Sequence, residues 1–489
     1  YDGAPEPESA FYHLYNVERV EVLKGPGGFL YGGNPLAGSV NLIRKEPVFE
    51  NLLKAGGSFG SFATGRGYLE LNRTNADGNV AFRLNAFGRR SDGYRDDKEN
   101  SQFGVNPAVS FSLGQRSLLT VNFEYARNDY QPDSGLPLLN NEIPEVPRTQ
   151  SYQSPFDFSD QNITRTRVDF STFLGQSITL RNKFYFTDLD WKTDGTIFPG
   201  VLPDGTGGAQ VFRSLLRLDD RQKLFGNQTE ALFNFGSGSI RNELLTGFEV
   251  RRLGDEFTLD VAALPPIDLF NPVETAEPPL FNIPFLSQVA DTRAWVLAPY
   301  VLDQISFSPK FKLTVGGRFD ILDFEDDASG LTRNSSKFSP LAGFNYLPNP
   351  GLSFSVSAGQ AFAPPSSQAV GDFEPEESTQ FEGGVKKQFY DGSVLLTMAV
   401  YQLERKNIAI PDETGVARQV GSQRSRGFEL DLAGELAPGM FLTGSYAYTD
   451  AVLTEFRESV DFSFGQLPPI IVDRSGNRPP FAPAHIFNV

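Results

Sequence analysis

The chain has 489 residues, with 43 Lys and Arg against 60 Asp and Glu, a formal net charge of −17, two histidines and no cysteine. The lack of cysteine excludes disulfides and thiolate metal sites, and His13 and His485 have no neighbouring ligands at a metal or triad spacing. The acidic excess argues against a nucleic-acid partner; it is equally a solubility feature.

Residues 1–16, YDGAPEPESAFYHLYN, lack the basic-then-apolar pattern of a signal peptide and read as a cut through a longer protein. A glycine-rich stretch follows at residues 20–43, VEVLKGPGGFLYGGNPLAGSVNLI. A phosphate loop must feed a helix N-terminus, whereas these glycines run into the β-type run SVNLI. GxxxxGK[ST] is absent, and Leu30 stands where GxGxxG needs its third glycine. Nucleotide binding is therefore not expected.

From about residue 52 onward one theme repeats: eight to fifteen residues of alternating apolar and polar character, then a connection. In residues 310–320 (KFKLTVGGRFD), Phe311, Leu313, Val315 and Phe319 share one face and Lys312, Thr314, Arg318 and Asp320 the other. Leu119, Val121, Phe123 and Tyr125 alternate in the same way with Thr120, Asn122 and Glu124. Short turns at 74–79, 236–239, 308–310, 390–393 and 437–439 alternate with long, Pro-rich stretches near 131–160, 192–210, 259–290, 363–375 and 454–480.

No run of about eighteen apolar residues marks a transmembrane helix, but a β-barrel carries its membrane signal in short alternating segments. About seventeen strand candidates and the start of another at 484–489 predict a large antiparallel transmembrane β-barrel. A propeller would show a fixed period of about 40–50 residues, which is absent, and a sandwich rarely needs so many strands. Tyr94, Tyr125, Tyr346, Tyr401, Tyr446 and Tyr448 fall where girdle aromatics belong. The wet face carries both signs of charge: Arg83, Arg89, Arg165, Arg167, Asp169, Arg181, Lys183, Arg241, Glu243, Glu249, Glu382 and Glu429 have inward parity. Sixteen to eighteen strands leave a channel and about twenty-two enclose a plugged lumen; the larger count is expected of the intact protein.

Residues 17–47, VERVEVLKGPGGFLYGGNPLAGSVNLIRKEP, resemble the end of the plug domain of TonB-dependent outer-membrane receptors, in the ferric siderophore branch. Residues 362–387 (FAPPSSQAVGDFEPEESTQFEGGVKK), 419–439 (QVGSQRSRGFELDLAGELAPG) and 444–451 (GSYAYTDA) extend the resemblance along the barrel. It implies that residues 1–46 are the C-terminal remnant of a plug and 47–489 an outer-membrane barrel truncated at its C-terminal end, unable to close as it stands. Its glycines would serve tight turns in a crowded lumen. The implied function is import of a ferric siderophore with energy from TonB, reached through a segment preceding residue 1. No enzymatic activity and no cofactor are implied, since iron arrives chelated; the further expectations are outer-membrane lipid around the barrel and a monomer. A receptor for cobalamin or an oligosaccharide is the alternative within the class, a passive porin or adhesin the alternative outside it.

The same resemblance implies that inner-wall glutamates hold the plug: Glu382 in QFEGGVK and Glu429 in RGFELD match those positions, with Lys24 as plug partner. These three are otherwise ordinary solvated lumen charges. Candidate ligand contacts are Tyr31 near the plug apex and Tyr130, Trp191, Phe198, Phe270, Phe362 and Phe373 at strand tops or in long loops. Each of these aromatics could instead pack loops or line the girdle. The neighbouring acids Asp326 and Asp327, and Glu376 and Glu377, have nothing positioning them as acid and base.

Overall fold

The computed structural model describes residues 1–26, 36–203, 205, 207–274, 277, 279–281, 287–363, 373–411, 417–460 and 470–489. The chain begins with an irregular segment and then a hairpin of β1 (Val17–Lys24) and β2 (Gly38–Arg44), which form a sheet of their own. The barrel opens with β3 (Leu52–Gly60), β4 (Thr64–Thr74), β5 (Val80–Ser91), β6 (Asn100–Leu113), β7 (Ser117–Tyr130) and β8 (Phe158–Leu174). It continues with β9 (Ile178–Pro203), β10 (Ala209–Ser237), β11 (Ile240–Asp268), β12 (Gln288–Ser308), β13 (Phe311–Asp326) and β14 (Leu331–Asn349). Next come β15 (Leu352–Ala363), β16 (Glu376–Phe389), β17 (Val394–Pro411), β18 (Ala417–Ala437), β19 (Met440–Val460), β20 (Ile470–Asp473) and β21 (His485–Asn488).

The strands follow chain order around a closed antiparallel barrel. Among the described residues the barrel has nineteen strands, where about seventeen and the start of another at 484–489, which is β21, are expected from the alternation. β20 falls inside the stretch 454–480 read as a connection, because four residues are too few for a period of two to register. The expectation of an unclosed sheet is likewise corrected: the order runs through β21 to β3. The seam is thin, since both β20 and β21 lie on β19 and all four residues of β21 are exposed.

Alternation sets the two faces. In β13, Phe311 and Phe319 point outward and are 42% and 40% exposed, whereas Arg318 and Asp320 are buried on the lumen side. In β7, Thr120, Asn122 and Glu124 are buried while Phe123 is exposed. Hydrocarbon accepts the first set and would reject the second, so register and membrane face are fixed together. At the short-turn end Phe311 stacks on Phe344 and Tyr346, with ring centroids 6.1 and 5.0 Å away, and Tyr346 stacks on Phe354 at 6.3 Å, forming part of an interfacial girdle.

Several inward tyrosines lie flat over a glycine of the next strand. A Cβ on Gly226 would stand 2.1 Å from the Tyr185 ring, and one on Gly247 would stand 2.7 Å from that of Tyr300. Only glycine leaves room for the ring to lie along the wall.

The strands β9 to β11 correct the loop expectations for 192–210 and 259–268. β9 pairs with β10 as far as Ala209 and Pro203, and β10 with β11 as far as Gln210 and Asp268. Prolines and glycines there suggested coil, but pairing on both sides of β10 holds the backbone extended. Strands of 26 and 29 residues reach roughly 85–95 Å, whereas about ten residues cross the bilayer. Their upper parts therefore stand beyond the membrane at the long-loop end. There Tyr152, Ala209, Val211, Ile267 and Leu269 make a small buried core with Phe198 and Val201 packed against it.

Val315→Arg, on the lipid face of β13, is expected to lower stability by about 2–4 kcal/mol, and Asp323→Arg, on the same face near the long-loop end, by about 1 kcal/mol or less. Urea unfolding of the protein in phospholipid vesicles measures both.

Candidate functional site

The lumen is crossed by the β1–β2 hairpin, whose base is the Val17 to Arg44 pair and whose far end is the Lys24 to Gly38 pair. The two ends are held very differently. At the base, the Glu6 carboxylate accepts from Arg165 Nε at 2.8 Å and also from Arg167, and Arg165 Nη1 reaches Glu124 at 3.1 Å. Asp2 pairs with Arg44, which also donates to Asn122 of β7, and Lys183 of β9 donates to the Asp2 carbonyl. Lys45 reaches Glu70 of β4 at 2.8 Å, and Glu70 pairs with Arg83 of β5 at 2.5 Å. The guanidinium groups of Arg165 and Arg167 are 2% and 0% exposed, so these charges are compensated almost wholly by one another.

Burial works against the ionised form of Glu6, but Arg165 and Arg167 outweigh it and hold the carboxyl below the usual carboxylate range. Asp2 is likewise lowered, burial being overcome by Arg44. A carboxyl with a depressed folded value lends stability that is complete above the unfolded range, near pH 4, and drains away as pH falls through the folded value. His13, packed on Phe87 at 4.8 Å between ring centroids, is pushed down to about 4 by burial and then by Arg165 and Arg89. It is neutral at physiological pH and acts as an aromatic spacer.

At the far end, Lys24 pairs with Glu429 of β18 and lies 3.9 Å from Asp431. Glu382 of β16 stands close enough to act on Lys24 electrostatically and accepts from Gln380 Nε2 at 3.0 Å. The three residues singled out from the resemblance are thus neighbours. The pair is wet, with Lys24 55% and Glu429 22% exposed in their side chains. An exposed pair contributes about 0–1 kcal/mol, whereas breaking a buried one by removing a single partner costs about 3–5 kcal/mol.

Two candidate ligand contacts come together at the mouth. Trp191 donates to Ser159 Oγ at 2.9 Å, Tyr130 is the cross-strand partner of the same Ser159, and the Phe11 ring meets Tyr130 edge-on at 5.4 Å. Gln161 holds the backbone of Ser9 and Phe11, and Gln222 that of Glu8, so the strand tops position this aromatic group. A cleft of about 480 Å³ touches Tyr130, but Arg90, Ser101, Asp129, Phe158 and Asp160, which line it, have outward parity, so it lies on the outer side of the strand tops.

The other candidates are elsewhere. Phe198 packs on Tyr152 at 6.0 Å inside the loop core, and Phe270 is half-exposed beyond the Asp268 turn. Phe362 in β15 and Phe373 before β16 are buried. Tyr31 lies outside the described residues. Phe198 sits on β9 itself, correcting its placement in the 192–210 loop, and Trp191 lies lower on the same strand.

Sequence reasoning missed Asp2, Glu6 and Phe11 because residues 1–16 have no periodicity to follow, and Gln161 of β8 and Gln222 of β10 because the inward residues were picked out by charge. One signal was available. Glu6 stands between Pro5 and Pro7, which hold the chain extended and leave the carboxylate projecting.

A closed antiparallel barrel with an oily exterior and a charged, hairpin-bridged lumen defines an outer-membrane barrel protein of receptor type. The family model described as TonB dependent receptor-like, beta-barrel matches residues 104–489, and the chain belongs to that family. It is a protein of the bacterial outer membrane. It is 29% identical over 477 residues to the metal-pseudopaline receptor CntO of Pseudomonas aeruginosa, covering 92% of this chain and 65% of that protein. It is 25% identical over 528 residues to the catecholate siderophore receptor Fiu of Escherichia coli, covering 96% and 69%. The crystal structure of the siderophore receptor PiuA from Acinetobacter baumannii superposes with a TM-score of 0.83 at 22% identity, over 97% of this chain and 74% of that one, a likeness of fold.

At pH 7, Glu6→Gln is expected to lower the unfolding free energy by about 3–5 kcal/mol and Glu429→Gln by about 1 kcal/mol or less. The Glu6 difference begins to close as pH falls below the unfolded range, near 4, and is lost only once pH passes below the lowered native value. Calorimetric unfolding of both variants across pH 3–8 checks it.

Proposed function

We propose that the intact protein binds a ferric siderophore at the mouth of the barrel and imports it with energy drawn from TonB. The observation that carries this reading is the lumen itself: a hairpin pinned to opposite walls lies beneath an aromatic mouth built from Phe11, Tyr130 and Trp191. A passive porin needs an unobstructed bore, which the bridging hairpin denies. Residues 1–46 then act as part of a plug, and iron is cargo carried by its chelator.

The substrate class is supported by the relatives, which are named as a metal-pseudopaline receptor, a catecholate siderophore receptor and a ferrichrome outer membrane transporter and phage receptor. This favours a chelated metal over cobalamin or an oligosaccharide. Capture and release are then separate events: loops and mouth bind the complex, and mechanical work on the plug, supplied through TonB, opens the way.

The chain has only two tryptophans, and they face different media. Trp191 is at the mouth, while Trp295 is exposed on the outer face of β12 near Arg252. In the intact receptor in detergent, one class of ferric hydroxamate, catecholate or citrate complex is expected to quench fluorescence saturably. The response should survive Trp295→Phe and vanish in Trp191→Phe, and Tyr130→Ala should weaken binding about tenfold, worth about 1.4 kcal/mol. A response to cobalamin or a sugar, with none to any iron complex, would overturn the substrate.

A further inference from the structure

Cross-strand pairing lays one inward-facing row across the mouth: Arg66 on β4 opposes Arg89 on β5, and the row continues through Gln102, Asn128 and Gln161 to Trp191. Beyond Trp191 it reaches Asp220 of β10. Positive charge therefore stands on one flank of the aromatic group and negative charge on the other. Arg66 and Arg89 are direct cross-strand neighbours, with Cβ atoms about 5 Å apart, where like charges repel.

The buried lumen arginines Arg44, Arg83, Arg165 and Arg318 each meet a carboxylate. Among the described residues neither Arg66 nor Arg89 is in an ion pair. Arg89 Nη1 reaches Asn100 Oδ1 at 3.4 Å, and Arg66 is exposed to the lumen. Arg66 also lines a cavity of about 310 Å³ together with Lys54, Lys45 and Tyr68. The acid on that lining, Glu70, is already shared by Lys45 and Arg83.

Resting on the transport reading above, we infer that Arg66 and Arg89 are specificity-determining residues and that the cargo is an anionic aryl chelate, a ferric tris-catecholate in chemical class. The two guanidinium groups take the negative charge of the complex, while Phe11, Tyr130 and Trp191 take its rings. Arg89 stands two strands from Tyr130, about 10 Å away, so one chelate reaches both. Each catechol gives up both phenolic protons to iron(III), which leaves the tris-chelate anionic; each hydroxamate gives up a single proton, which leaves its tris-chelate neutral. A planar guanidinium donates to a pair of phenolate oxygens in fork geometry, and the arriving charge relieves the repulsion that the ligand-free wall carries. A neutral complex gains neither.

Two measurements on the intact receptor in detergent test this. In the first, a ferric tris-catecholate should bind at least about a hundredfold more tightly than a ferric tris-hydroxamate, and the margin should shrink as ionic strength rises from about 0.05 to about 0.5 M. Arg66→Gln and Arg89→Gln should each weaken the catecholate complex about tenfold, the worth of one charge-assisted hydrogen bond. Arg89→Lys should recover part of that loss, and hydroxamate binding should stay as it was. Preference for the neutral complex, or a catecholate affinity indifferent to both substitutions, overturns the proposal and leaves the transport reading in place.

The second needs no cargo. By removing the like-charge contact, Arg66→Gln should raise the thermal unfolding midpoint of the ligand-free receptor at low salt, and the rise should fade at high salt. A lowered midpoint means that the arginine is paired with an acid elsewhere in the intact chain, and it overturns the proposal. Binding of cobalamin or a sugar, with no iron complex bound, overturns the transport reading instead, and the midpoint then decides whether the arginine pair is an open anion site.

Discussion

Inside hydrocarbon a peptide N–H or C=O finds no water, so each must be paired by the protein itself, and a sheet can satisfy this only by closing on itself. Closure then forces every other side chain into a bore that no lipid can fill. The chain answers by putting Phe311, Val315 and Phe319 outside and Arg318 and Asp320 inside, strand after strand. Everything else follows from that wet interior: a place where charge is tolerated, provided it meets opposite charge or water.

The interior holds both solutions side by side. Glu6, Glu124, Arg165 and Arg167 are removed from water and must balance one another closely, which makes their arrangement rigid and costly to disturb. Lys24 and Glu429 remain hydrated and are cheap to separate.

The barrel was legible because its period of two is imposed by the membrane, and residues such as Thr120, Asn122 and Glu124 had no other face to occupy. Strand ends were not, since above the bilayer the alternation loses its cause: β9 continues past Pro199 and Gly200 because β10 supplies hydrogen bonds there, which composition alone does not display. Lys24, Glu382 and Glu429 were found through resemblance, and they are neighbours. Tyr130 and Trp191 were chosen as strand-top aromatics and do meet, while Phe198, chosen as a long-loop aromatic, lies on β9 and packs in a loop core. An aromatic at a strand top has two uses, and only the partner strands decide between them. Glu6 escaped notice because an irregular segment takes its conformation from the walls around it.

The flat tyrosines have a consequence for the size of the bore. Tyr185 and Tyr300 lie along the wall only because Gly226 and Gly247 leave them room. A bulkier residue at either position would tip a ring toward the axis, narrowing the clearance at the height where the hairpin crosses. The calibre of the conduit is therefore written in its glycines: a tube of given circumference can be made roomier or tighter by a single methyl group, without changing its strand number or any charge.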